Sequence, residues 1–163
     1  MSIRKYSILY AVGILVMASS AFSQVVEGQP KPPVNPKYDA ELARKLGADD
    51  LGMRSYILVL LKSSSKPVPA GKERNEMFAG HMANMKRLAA EGKLVLAGPL
   101  DGVDGMRGLF VFALDSIEEA KKLTETDPVI VKGEMVAVYH KYFGNAGIMM
   151  LNEIYEKIAK NPL

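Results

Sequence analysis

His81 and Asp127 carry groups that can move a proton. A neutral imidazole titrates near physiological pH and can act as acid or base there, a task for which lysine or aspartate alone needs a large perturbation. His81 shares three- and four-residue spacing with Phe78, Met82, Met85 and Leu88, so it belongs to the inward stripe of a helix rather than to a solvated surface. Asp127 stands in Thr126-Asp127-Pro128, at a helix exit where the proline disfavours helical geometry before it and turns the chain. If the two side chains meet, the carboxylate accepts from one imidazole nitrogen and fixes the tautomer, leaving the other nitrogen to exchange a proton with a substrate. Each residue also has a plainer reading. His81 fits a core histidine bonded to a backbone carbonyl, and Asp127 fits a turn carboxylate bonded to nearby amides.

Other residues extend or bound this chemistry. The helix of His81 runs through Glu91-Gly92-Lys93 into a strand that ends at Gly98-Pro99, a corner expected to shape a pocket wall. Arg107, at the start of the next strand, is suited first to an exposed structural role and second to holding an anionic group. His140 shares a strand face with Val136, Val138 and Tyr142 and reads as packing at a sheet or dimer surface. Two histidines so far apart, with no cysteine, argue against a zinc site. G-x-S-x-G, P-loop and Rossmann patterns are missing, which argues against a hydrolase elbow or a nucleotide site. The ten methionines include Met1, Met17 and the helix-interior pair Met82 and Met85, so they read as gap-filling rather than copper ligation. No metal or cofactor is expected.

The elements that must position these groups follow from periodicity. Tyr38 to Leu46 reads as a short helix with Asp39 as N-cap and Gly47 as stop. Ser55 to Lys62 reads as a first strand, Arg74 to Glu91 as a helix, Lys93 to Ala97 and Arg107 to Leu114 as a hairpin around the Asp101–Gly105 turn cluster. Ser116-Ile117-Glu118-Glu119 is a capping box opening a second helix that runs to about Glu125, and Gly133 to Tyr142 is the last strand. The order β-α-β-β-α-β predicts an α+β, ferredoxin-like unit whose four antiparallel strands carry both helices on one face. The last two strands alternate apolar residues on both faces, and two helices cover only one, so a second copy packing sheet to sheet is expected on the other. Asn145 to Lys160 is amphipathic and reads as an added C-terminal helix packing on the core or across a dimer.

Several of these words in order carry a family resemblance: Gly80-His81-Met82-Ala83-Asn84-Met85, the run from Leu88 to Pro99, Arg107-Gly108-Leu109-Phe110-Val111-Phe112, and Ile117 to Leu123 with Thr126-Asp127-Pro128. Together they make residues 55–143 resemble the YciI-like (YCII-related) family of the dimeric α+β barrel superfamily. The resemblance implies a homodimer and an active-site dyad of a histidine and an aspartate at the positions of His81 and Asp127. It also supplies a precedent for elimination, because activities in that family include dehydrochlorination of a chlorinated hydroxyhydroquinone. The chain departs from the family pattern near its last strand, with Lys141 where proline is frequent and Tyr139 in place of an aliphatic residue.

Bulk properties place the chain. Arg4 and Lys5, the apolar run Ile8 to Ala18 and the small residues of Ala21-Phe22-Ser23 read as an export signal over residues 1–23, cleaved before Gln24, and the apolar run is too short to span a bilayer. A periplasmic or secreted protein is expected, and a chain without cysteine forms no disulfide there. Residues 24–54 read as a proline-rich linker and the short helix, 55–143 as the domain, and 144–163 as the helical extension. Of the formal charge of +3, two come from Arg4 and Lys5, and no basic stripe with interleaved aromatics remains to bind nucleic acid. Two functional readings follow: a cofactor-independent lyase or isomerase moving a proton on a small, cyclic substrate through His81 and Asp127, or a dimeric module that binds a small ligand without turnover.

Overall fold

The computed structural model describes residues 35–161, so residues 1–23, expected to be an export signal, and the proline-rich stretch as far as residue 34 lie outside the described residues. Helix α1 (Ala40–Leu46) has the expected ends: an Asp39 carboxylate oxygen accepts from the Leu42 amide at 2.9 Å, and Gly47 stops the helix at φ 67°, where a side chain would be strained.

Strands β1 (Met53–Ser63), β2 (Leu94–Pro99), β3 (Met106–Phe112) and β4 (Met135–Asn145) form one antiparallel sheet in the order β2-β3-β1-β4. Helix α2 (Lys72–Ala90) connects β1 to β2, and α3 (Ile117–Thr124) with the single turn α4 (Pro128–Val131) connects β3 to β4. This is the predicted α+β, ferredoxin-like arrangement, with β1 and β3 in the middle and β2 at an edge. Period-two alternation sends Ile57, Val59 and Leu61 of β1 and Phe110 and Phe112 of β3 to one face, where they meet Met77 and Leu88 of α2, Ala120 of α3 and Val129 of α4. Each of these side chains larger than alanine, fully buried, contributes about 1.5–3 kcal/mol of transfer free energy, so this layer is the main source of stability.

On the other face Tyr56, Val95 and Val111 form a smaller cluster, covered by Ile148 and Met149 of a 3₁₀ turn, Ala146–Met150. Toward β4 that face is open, with Val136, Val138 and Tyr142 exposed. The C-terminal segment therefore differs from the single helix expected over Asn145–Lys160. Pairing of β4 with β1 continues to Met53↔Asn145, Asn145 then caps the 3₁₀ turn by accepting from Gly147 at 2.7 Å, and only Leu151–Ile158 is α-helical (α5). Ser116 caps α3 by accepting from the Glu119 amide, while its hydroxyl donates to Glu118, the neighbour of the expected capping-box partner. Asp127 does not end a helix into an irregular turn, as expected; it is the N-cap of α4, because Pro128 is preorganised for a first helical position.

Candidate functional site

The placement of Asp127 follows from that cap. Its carboxylate accepts from the Val129 amide at 3.1 Å, and the residue is 1 % exposed. Opposite, α2 presents Gly80 to the Pro128 ring, and a Cβ at position 80 would stand only 3.0 Å from the proline Cγ. The bare glycine lets α4 approach closely enough for Asp127 to meet His81, whose Nδ1 lies 2.9 and 2.8 Å from the two carboxylate oxygens. A carboxylate only accepts, so Nδ1 carries the proton in this pair.

A third residue completes the arrangement. Asn84, one turn after His81 and also buried, donates to Asp127 at 3.4 Å. Its amide oxygen accepts from Arg87 at 2.7 Å and from the Thr126 hydroxyl at 3.1 Å, which turns the NH₂ group toward the carboxylate. The buried carboxylate thus has three donors, as a charge removed from water requires. Sequence reasoning passed over Asn84; its signal is a His-x-x-Asn spacing that puts two polar groups on an otherwise apolar stripe.

The imidazole ring is held between aromatics, stacked on Phe110 at 6.0 Å and edge-on to Phe78 at 6.4 Å. Among the described residues no buried side-chain nitrogen or oxygen lacks a partner. With Nδ1 turned back to Asp127, the rest of the imidazole lines a cavity of about 830 Å³ walled by Met82 and Met85 of α2, Leu94 and Leu96 of β2, and Phe110. Gly98, Pro99 and Arg107 line the same cavity, so the structure gathers four of the five candidate residues there. The fifth, Asp127, lies behind His81 and reaches the cavity only through the imidazole.

Arg107 reaches the cavity by an irregularity of the sheet. In the β1–β3 register Leu61 pairs with Gly108 and Lys62 with Met106, which leaves Arg107 as the extra residue of a bulge. Such a bulge re-aims a side chain, and here the guanidinium comes within 3.6 Å of Glu134. Glu134 is fully buried and was not anticipated, since a lone glutamate at a strand start reads as exposed. Burial pushes its carboxyl up, but hydrogen bonds from Arg74 and the Val68 amide, with the charges of Arg74 and Arg107, outweigh burial and hold it below the usual glutamate range.

His140 lies elsewhere. It is exposed on the face of β4 opposite Tyr139, and Tyr139 itself points to the helices, hydrogen-bonded to Thr124. Among the described residues there is no group of three or more His, Cys, Asp or Glu placed to hold a metal ion, and no helix long and apolar enough to cross a membrane.

Three comparisons bear on this chain. The family model of the YCII-related domain matches residues 56–141, just over half of the chain. The uncharacterized protein YjpA of Bacillus subtilis (strain 168) is 31 % identical over 81 residues, covering 50 % of this chain and 85 % of that protein. A 5-chloro-2-hydroxyhydroquinone dehydrochlorinase from Burkholderia phenoliruptrix AC1100, solved in complex with 2,5-dihydroxybenzoquinone, superposes with a TM-score of 0.40 at 21 % identity over 53 % of this chain and 92 % of that one.

Proposed function

The chain belongs to the YCII-related domain family, and we propose that it is an enzyme in which His81 and Asp127 move a proton on a small, ring-bearing substrate, by isomerisation or elimination. The observation that carries this reading is the imidazole whose Nδ1 is engaged by a buried carboxylate while the rest of the ring lines an apolar cavity. In that setting Nε2 takes a proton from the substrate, and the imidazolium formed is stabilised by Asp127, whose position is fixed by Val129 and Asn84. The proton then returns to another atom of the substrate, or the electron pair left by the broken C–H bond forms a double bond while a leaving group departs with the electrons of its own bond and the imidazolium gives up its proton to that group or to water. Phe78 and Phe110 keep the ring from rotating away, and the apolar walls strengthen the charge interactions that develop. In this reading Gly98 and Pro99 leave room along the β2 edge, Arg107 receives a developing or resident negative charge, and side chains alone supply the chemistry.

A screen of small cyclic lactones and hydroxyquinones for turnover, run beside thermal-shift binding, tests this function. Turnover that disappears in His81→Asn is the expected result. Ligands that stabilise the protein but are never converted would instead favour a binding module.

Two features complete the proposal. The protein is exported, on the strength of the segment ending Ala21-Phe22-Ser23, and mass spectrometry of an envelope fraction should find a chain beginning at Gln24. It is also a homodimer, supported by the open apolar strip of Val136, Val138 and Tyr142, which a second copy would bury.

A further inference from the structure

We propose that α5, which follows the family-matching segment, is the wall of the cavity that selects its ligand, a ring-bearing apolar molecule carrying an anionic group. The inference rests on the reading above that the cavity is where substrate binds. The family match ends at residue 141, yet Leu151, Asn152, Tyr155 and Glu156 line the cavity opposite α2. The domain shared with the family therefore does not enclose this space alone.

The C-terminal segment is fixed in place before it reaches the cavity. The Tyr56 hydroxyl donates to the Asn145 carbonyl at 3.0 Å, the Ala146 amide donates to Gly52 at 2.9 Å, and Ile148 and Met149 pack on the sheet. From there α5 crosses the edge strand β2, where the Asn152 amide donates to the Leu94 carbonyl at 2.8 Å. Leu151 and Tyr155, one helical turn apart, are then turned to the cavity and remain 36 % and 39 % exposed. No residue of this amphipathic helix is fully buried, so a flat apolar molecule between α5 and α2 would complete the burial of its inner face.

Arg107 supplies the charge preference. Glu134 takes hydrogen bonds from Arg74 and the Val68 amide, whereas the nearest Arg107 nitrogen is 3.6 Å away, outside hydrogen-bond reach. Arg107 is therefore held beside a carboxylate by charge while its donors stay available at the cavity wall, an arrangement suited to a carboxylate, sulfonate or phenolate on the ligand.

The probe is 1-anilinonaphthalene-8-sulfonate, a fused-ring anion, compared with its neutral analogue N-phenyl-1-naphthylamine on the full chain. The chain has no tryptophan, so Tyr155→Trp places a single reporter in the wall. The sulfonate should quench that emission by energy transfer and bind more tightly than the neutral analogue. The double variant Leu151→Ala, Tyr155→Ala should bind it about tenfold more weakly, the loss expected when two apolar contacts to a ligand are removed. Ala89→Phe, which fills the cavity from α2, controls for probe held elsewhere. If Ala89→Phe blocks binding while the α5 double variant binds as the parent does, or the indole introduced by Tyr155→Trp is not quenched, the wall proposal is overturned and the cavity remains the binding site. If Ala89→Phe leaves binding unchanged as well, the reading of the cavity as the ligand site falls too. Equal affinity for the neutral analogue would overturn the anionic class.

Discussion

Replacing Glu134 by glutamine tests the electrostatics beneath the cavity. The carboxylate is fully buried, accepts from Arg74 at 2.5 Å and from the Val68 amide at 2.8 Å, and lies 3.6 Å from Arg107. The amide keeps the shape and one acceptor but removes the charge and turns an NH₂ group toward a guanidinium. Breaking a buried pair by removing one partner costs about 3–5 kcal/mol. Both arginine side chains are about a third exposed and regain some hydration, so a cost of about 2–4 kcal/mol is expected at pH 7, or roughly 10 °C in Tm for a domain of this size. The sign of the pH dependence follows from a folded-state value below the ordinary 4.5. Above 4.5 the carboxylate is ionised in both states and its contribution is complete; as pH falls through the lower folded value it protonates and the contribution is lost. Urea unfolding of parent and Glu134→Gln should therefore show a gap at pH 7 that narrows as the pH falls below 4.5. Equal stability at pH 7, or a gap that does not shrink in acid, would refute the reasoning.

Two further outcomes follow from the fold. At Gly108 a Cβ would stand 2.9 Å from the Gly98 carbonyl oxygen, so Gly108→Ala should push β2 from β3 and cost about 1–3 kcal/mol by overpacking, seen as a lower midpoint in denaturant unfolding. Val138→Asp, in the open apolar strip of β4, should convert a dimer to a soluble monomer in light scattering, with far-UV circular dichroism unchanged; a parent chain that is already monomeric would end the dimer proposal.

What was legible in the sequence was mainly what depends on local periodicity. Alternation in β1 and β3, the Asp39 and Ser116 caps and the apolar stripe of α2 each specify an element from neighbouring residues, and the antiparallel order follows from joining them. Features made by contacts between distant segments were not legible. Glu134 looks solvated until β4 is laid beneath α2, where Arg74 meets it. The inward turn of Arg107 depends on a bulge opposite Leu61 and Lys62, which no pattern within β3 announces. Asp127 was identified, but its role as the cap of α4 rests on the close approach that Gly80 allows. The C-terminal segment was misjudged at its start because Asn145 continues the pairing with Met53, a long-range register that outweighs helical patterning.

The central claim is that His81 and Asp127 act as one proton-transfer unit, and a double-mutant cycle measures it most directly. Using a cyclic lactone or hydroxyquinone that the protein converts, kcat/KM would be determined for His81→Asn, Asp127→Asn and the double variant, each corrected for its folded fraction. Loss of the Nδ1 bond to Asp127 should lower stability by about 1–2 kcal/mol, which the correction removes. The account predicts that each single substitution lowers kcat/KM by about 10²–10⁴-fold and that the double variant loses little more. Activity per folded molecule left unchanged by His81→Asn, or strictly additive losses in the double variant, would contradict it.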